Sequence, residues 1–303
     1  MKDSLKDLIK NTILFEYKLP NLILNIEKTF ITHLAFGDDC YNINNSNDLC
    51  KIIYESILYY SYDEFQLKDG DHQKMFLKAF NSKFKYNYKA NDLAKRRLGI
   101  FGEALLYSIL NYFYKTTTLV SRGYFYNIQK KSEITGYDSF HLIQKGNDIE
   151  LWFGETKFYE DCKSAIDSVF KKIEIAISDD YLINTNFTTI LQNRGNIIDK
   201  ESKLYKILDK WEKCIITSLE NELINNNIKL VYPVLITFDK LNNDYNQTIR
   251  IAIKHINDSY SHLKLNKISL DYSIFFILMP IDDVKFSKET IIKWIDTKEP
   301  LVL

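Results

Sequence analysis

The stretch Tyr137–Tyr159, YDSFHLIQKGNDIELWFGETKFY, reads as two β-strands joined by a tight reversal at Gly146–Asn147. Both residues tolerate the positive φ that primed two-residue turns require. A turn centred there sets Leu142 opposite Leu151, Phe140 opposite Phe153 and Asp138 opposite Glu155. Pairs that step by two along each strand share one face of the sheet. That face therefore carries large apolar side chains near the turn, then an opposed pair of acids, then Lys157. His141 faces Trp152 on the other side, as a packing or hydrogen-bonding residue rather than a ligand.

Charged groups in a strand that should be apolar are costly unless they are paired or bind something. Directly opposed carboxylates have Cβ atoms ~4.5–5.5 Å apart and repel when both ionise. A divalent cation removes that repulsion, and hard carboxylate oxygens suit Mg²⁺ or Mn²⁺. This predicts Asp138 and Glu155 as metal ligands. Lys157 would orient an attacking water or stabilise charge developing on a phosphoryl group. The bland alternative is an ion-pair network at the wet end of a hairpin. Weighing against it, GETK supplies the E-x-K half of a D…(D/E)-x-K pattern.

Helical periodicity flanks the hairpin on both sides. Leu98, Phe101, Leu105, Leu106, Ile109, Leu110 and Phe113 mark an amphipathic helix before it. Glu103 lies about 110° from that helix's apolar axis, either as a residue reaching the sheet edge or as a solvated glutamate. Thr116–Tyr126 is β-rich, and Cys162, Ala165, Ile166, Val169, Phe170, Ile173 and Ile177 mark a second helix with Asp161 as its N-cap. A polar, partly helical insertion near 178–226 follows. Then come a strand at Leu230–Asp239, a helix at Ile249–Leu263, a strand at Tyr272–Pro280 and a closing helix at Lys288–Ile295. The order predicts a mixed α/β domain over 95–303, its central sheet flanked by helices. Residues 1–94 read as an N-terminal α/β accessory region: a strand at Phe15–Leu19, a loop at Gly37–Asp48, and helices near Leu49–Tyr60 and Gln73–Phe84.

The 40 basic and 40 acidic residues cancel. A protein that grips DNA alone normally carries a basic excess, so neutrality points to a local patch or a partner that does the gripping. Lys95-Arg96-Arg97, Lys130-Lys131 and Lys171-Lys172 form such a candidate rim for phosphates. Cys40, Cys50, Cys162 and Cys214 make no CxxC or zinc-like spacing and read as free thiols. The apolar run Ser273–Pro280 is far short of the ~20 residues of a membrane span. With no signal-peptide pattern at the N-terminus, the expectation is a cytoplasmic protein without a membrane partner.

At GIFGEALLYSIL, YDSFHLI and LWFGETKFYEDCKSAIDSVF the chain resembles the HamA family, effectors of the bacterial Hachiman anti-phage system. That family is of the PD-(D/E)xK restriction-endonuclease type, so the resemblance implies a restriction-endonuclease-like sheet. It implies Asp138 and Glu155 as Mg²⁺ or Mn²⁺ ligands, Lys157 completing the motif, and Glu103 in support. No proline precedes Asp138, a position often degenerate in this class. The resemblance further implies DNA as substrate and HamB, a DExH-type helicase, as the partner that restrains the nuclease. The residues leave open a different class, a catalytically silent DNA- or helicase-binding subunit on the same fold. Residues 1–94 match only loosely and are expected to extend the fold or contact the partner.

Overall fold

The computed structural model describes residues 1–19, 38–68, 70–84, 86–120, 126–127, 132–133, 138–176, 187–193, 200–213, 219–241, 244–262 and 272–303. Its centre is a seven-stranded sheet in the order β1-β2-β9-β8-β7-β6-β3. The strands are β1 (Ile13–Lys18), β2 (Asp39–Ile43), β3 (Thr117–Val120), β6 (Ser139–Lys145), β7 (Asp148–Phe158), β8 (Ile228–Asp239) and β9 (Tyr272–Ile281). A separate two-stranded ribbon holds β4 (Tyr126–Asn127) and β5 (Ser132–Glu133). Pairs β7–β8, β8–β9 and β9–β2 are parallel; β1–β2, β6–β7 and β3–β6 are antiparallel. The expected mixed α/β architecture is what the chain adopts.

Helices cover both faces, and strand alternation divides the core between them. On one face Leu151 and Phe153 of β7, Val234 and Ile236 of β8 and Phe276 of β9 pack with Ala165, Ile166 and Val169 of α7 (Cys162–Ala176). On the other, Trp152 and Phe158 of β7, Val231 and Leu235 of β8 and Phe275 of β9 meet α2 (Ser46–Ser61), α6 (Ile100–Tyr112) and α12 (Val284–Thr297). Burying one such side chain fully contributes roughly 1.5–3 kcal/mol. The continuous apolar runs of β8 and β9 follow from having both faces covered.

The boundary expected at 94/95 is crossed by both sheet and core. β1 and β2 extend the sheet beyond β9, and α2 packs against α6. The stretch read as a loop at Gly37–Asp48 contains strand β2 instead. Its polar composition hides a buried pairing: Asp38 Oδ1 accepts the Phe276 N–H at 2.7 Å, and Tyr114 Oη donates to Asp39 Oδ2 at 2.7 Å. Within the insertion, α8 (Thr188–Asn193), α9 (Lys203–Lys213) and α10 (Leu219–Asn225) are helical, and Leu204, Leu208, Trp211 and Leu223 join the main core.

Candidate active site beyond the hairpin

The hairpin register is the one the turn predicts. Leu142 pairs with Leu151, Phe140 with Phe153 and His141 with Trp152. Gly146 takes φ 61°, while Asn147 is not among the positive-φ residues; a glycine in that first position suits a II′ reversal. The pairing ends at Ser139–Gly154, and the Asp138 N–H still donates to Gly154 O at 2.9 Å. Asp138 therefore sits one residue before β6, level with Glu155.

Both carboxylates face one point. Lys172 Nζ, from α7, lies 2.5 Å from Glu155 Oε2 and 3.6 Å from Asp138 Oδ1. Lys157 Nζ donates to Glu155 Oε1 from the other side. The Thr156 N–H holds Asp138 Oδ2 at 2.8 Å, which fixes the rotation of that carboxylate. Glu155 is 3% exposed. Burial, then repulsion from Asp138, pushes its pKa up to about 7, although Lys157 and Lys172 pull it down.

A carboxyl raised in the fold is a proton bound by the native state and not by the unfolded chain. Between about 4.5 and about 7 the Glu155 contribution to stability therefore falls as pH rises. Thermal denaturation of Glu155→Gln should show a flatter pH dependence than wild type across that window. Lys172→Met should move the Glu155 titration upward, since the ammonium favours the ionised form; carboxyl titration by NMR checks this.

Glu103 lies across the sheet on α6, buried, and a hydroxyl from α2 ties it to the acid pair. Tyr60 Oη lies 2.9 Å from Glu103 Oε2 and 2.8 Å from the Asp138 main-chain O. Gly99 leaves room for this carboxylate, since a Cβ there would sit 2.6 Å from Glu103 Oε1. Tyr60→Phe should cost about 1–3 kcal/mol of stability, read by urea unfolding, and should slow any reaction that depends on Asp138.

The basic rim divides. Lys95 is buried, with Nζ 2.7 Å from Asp296 Oδ2, so it holds α5 (Asp92–Arg96) to α12 and is not offered to a ligand. Arg96 pairs with Glu289 at 3.2 Å yet still lines a cleft of about 660 Å³, together with Arg97, Glu103, Asp138, Lys157 and Lys288. Lys171 is exposed, whereas Lys172 belongs to the acid pair. Lys130-Lys131 lies outside the described residues. His141 is fully enclosed, in contact with Thr116 Oγ1 at 2.6 Å, and burial pushes its pKa down to about 3. Tyr60, Lys172 and Lys288 are the site residues the sequence reading missed or misplaced. Two had a signal: Lys172 continues the buried stripe Ala165, Val169, and Lys288 continues Val284 toward Ile291.

The HamA family model matches residues 8–295. The chain belongs to the HamA family. Membership of HamA brings the Hachiman antiviral-defence context and spans nearly the full sequence, including the N-terminal strands that join the sheet. No curated protein matches this HamA-family chain. Among its described residues no helix is long and apolar enough to cross a membrane.

Proposed function

We propose that this chain is a Mg²⁺- or Mn²⁺-dependent deoxyribonuclease, the effector of a Hachiman complex. The observation that carries the reading is the convergence of Asp138 and Glu155 on a single ammonium, flanked by Lys157. A point that accommodates one cation between two acids is chemically suited to a divalent one.

The donor set fits such a metal. Among the described residues no group of three or more His, Cys, Asp or Glu is arranged to hold an ion. Mg²⁺ is commonly bound through one or two carboxylates, with water and substrate phosphate completing its shell. Asp138 and Glu155 would hold it, and when bound it would supply Lewis-acid polarisation of a phosphoryl oxygen and a more acidic water.

The chain's own residues do the rest. The Thr156 N–H keeps Asp138 oriented with one oxygen available. Lys157 can donate a hydrogen bond to the attacking water or to a non-bridging oxygen as negative charge grows. Glu155 would act in its ionised form, as a metal-ligating carboxylate must. The water oxygen bonds to phosphorus as the P–O ester bond opposite it breaks, and the proton the water loses passes through solvent to the departing oxygen, leaving the strand cut.

We also propose a HamB-type DExH helicase as the partner that restrains the nuclease and delivers DNA. Zero net charge supports a chain whose hold on DNA is partly borrowed. The test is plasmid cleavage by the purified chain, alone and with the helicase, in Mg²⁺, Mn²⁺ or EDTA. Metal-dependent nicking or degradation is expected; strand integrity under every condition would leave a non-catalytic subunit.

A further inference from the structure

The cleft beside the acid pair is lined by charges of both signs. Glu103, Asp138, Glu160 and Asp161 line it together with Arg97, Lys157 and Lys288. Lys288 comes from the first turns of α12, at the opposite end of the chain from Tyr60. Its aliphatic stem follows the buried stripe of that helix, and its Nζ lies 5.6 Å from the centroid of the Phe158 ring. Phe158 directly follows Lys157 in β7, so this ammonium stands next to the proposed reaction site, on the other sheet face.

The electrostatics of Lys288 are unusual for a lysine. Burial lowers its pKa to about 8, and nearby Arg96 adds to the effect, while Glu160 and Asp239 offset part of it. Among the described residues none of these carboxylates reaches it as an ion pair; its close contact is an aromatic face. An ammonium drawn out of water without an ion-pair partner is costly to keep. The cost is recovered when an anion enters the cleft.

We propose that Lys288 anchors a backbone phosphate of the nucleic-acid strand adjacent to the scissile one, with Arg97 at the cleft mouth. This deepens the nuclease reading and rests on it. The volume of about 660 Å³ lies within the range of ligand pockets, ~300–1,000 Å³. The mixed lining suits a phosphodiester: a cation would sit at Asp138, and Lys288 takes the neighbouring phosphate. A strand so held has its register fixed relative to Asp138 and Lys157.

The experiment uses the full chain and a fluorescent oligonucleotide in EDTA, where cleavage is silent. Affinity is measured by anisotropy against salt concentration. Lys288→Met should weaken binding about tenfold and flatten the log K against log salt slope by about 0.7–0.9, the contribution of one phosphate contact. Lys288→Arg should restore both. In a cleavage assay the methionine variant should raise KM more than it lowers kcat. Unchanged affinity and slope in Lys288→Met overturn the proposal, as does a wild-type chain that binds no oligonucleotide. Competition by a mononucleotide as strong as by the strand also overturns it, making the cleft a nucleotide pocket. Lys288-dependent binding without metal-dependent cleavage would sink the nuclease reading and leave the subsite standing. Cleavage with an unaltered Lys288→Met KM would do the reverse.

Discussion

Glu155→Gln should abolish metal-dependent DNA cleavage, by about 10³-fold or more, while the protein remains folded. The amide keeps the volume of the side chain and loses its charge, so the Asp138 carboxylate alone faces the cation position. Metal stabilisation of a phosphoryl transition state amounts to several kcal/mol, and each 1.36 kcal/mol is about tenfold in rate. Lys157→Met should fall less, about 10²–10³-fold, as for the loss of one preorganised donor. The readouts are initial rates on supercoiled plasmid and Mn²⁺ binding by calorimetry. Glu155→Gln should lose both, whereas Lys157→Met should lose rate and retain metal. Equal rates in all three proteins would remove the catalytic assignment.

The second large effect is structural. Gly154→Ala should destabilise the fold by about 1–3 kcal/mol, the usual cost of forcing an extra carbon into a packed core. Its Cβ would lie 2.8 Å from Leu106 Cδ2 on α6 and 3.5 Å from Pro233 Cγ on β8, and it would press on Ser139 Oγ. The ladder between β7 and β8 already skips this level, resuming at Glu155–Val234, because Pro233 has no N–H to donate. Gly154 also accepts the Asp138 N–H, so the wedge acts on the spacing of the acid pair as well as on packing. Urea denaturation should show the loss, and Gly154→Ala/Ser139→Gly should recover part of it. The two positions touch, so their effects should not add.

How much of this was legible depended on how local the determining contacts are. The hairpin register could be read because a Gly-Asn reversal and strict alternation sit within a span of about twenty residues. Strands β8 and β9 could be read because runs as apolar as LVYPVLITF have no other home in an α/β domain. Strand β2 could not, since Asp39 and Asn42 look like loop residues until β9 is beside them. Nor could the fate of Lys95 be foreseen among three consecutive cations: its partner, Asp296, is 201 residues away. Tyr60 was invisible as a site residue for the same reason, one tyrosine among many on a buried helix, 43 residues from Glu103 and 78 from Asp138.

The pairing of β2 with β9 bears on how this polypeptide emerges from a ribosome. The Asp38 carboxylate accepts the N–H of Phe276, which is synthesised 238 residues later. A nascent or prematurely terminated product would contain the GETK segment but lack the neighbouring strand on which β8 rests. The scaffold around the GETK strand is therefore complete only once the last strand of the sheet and the helix after it have been made.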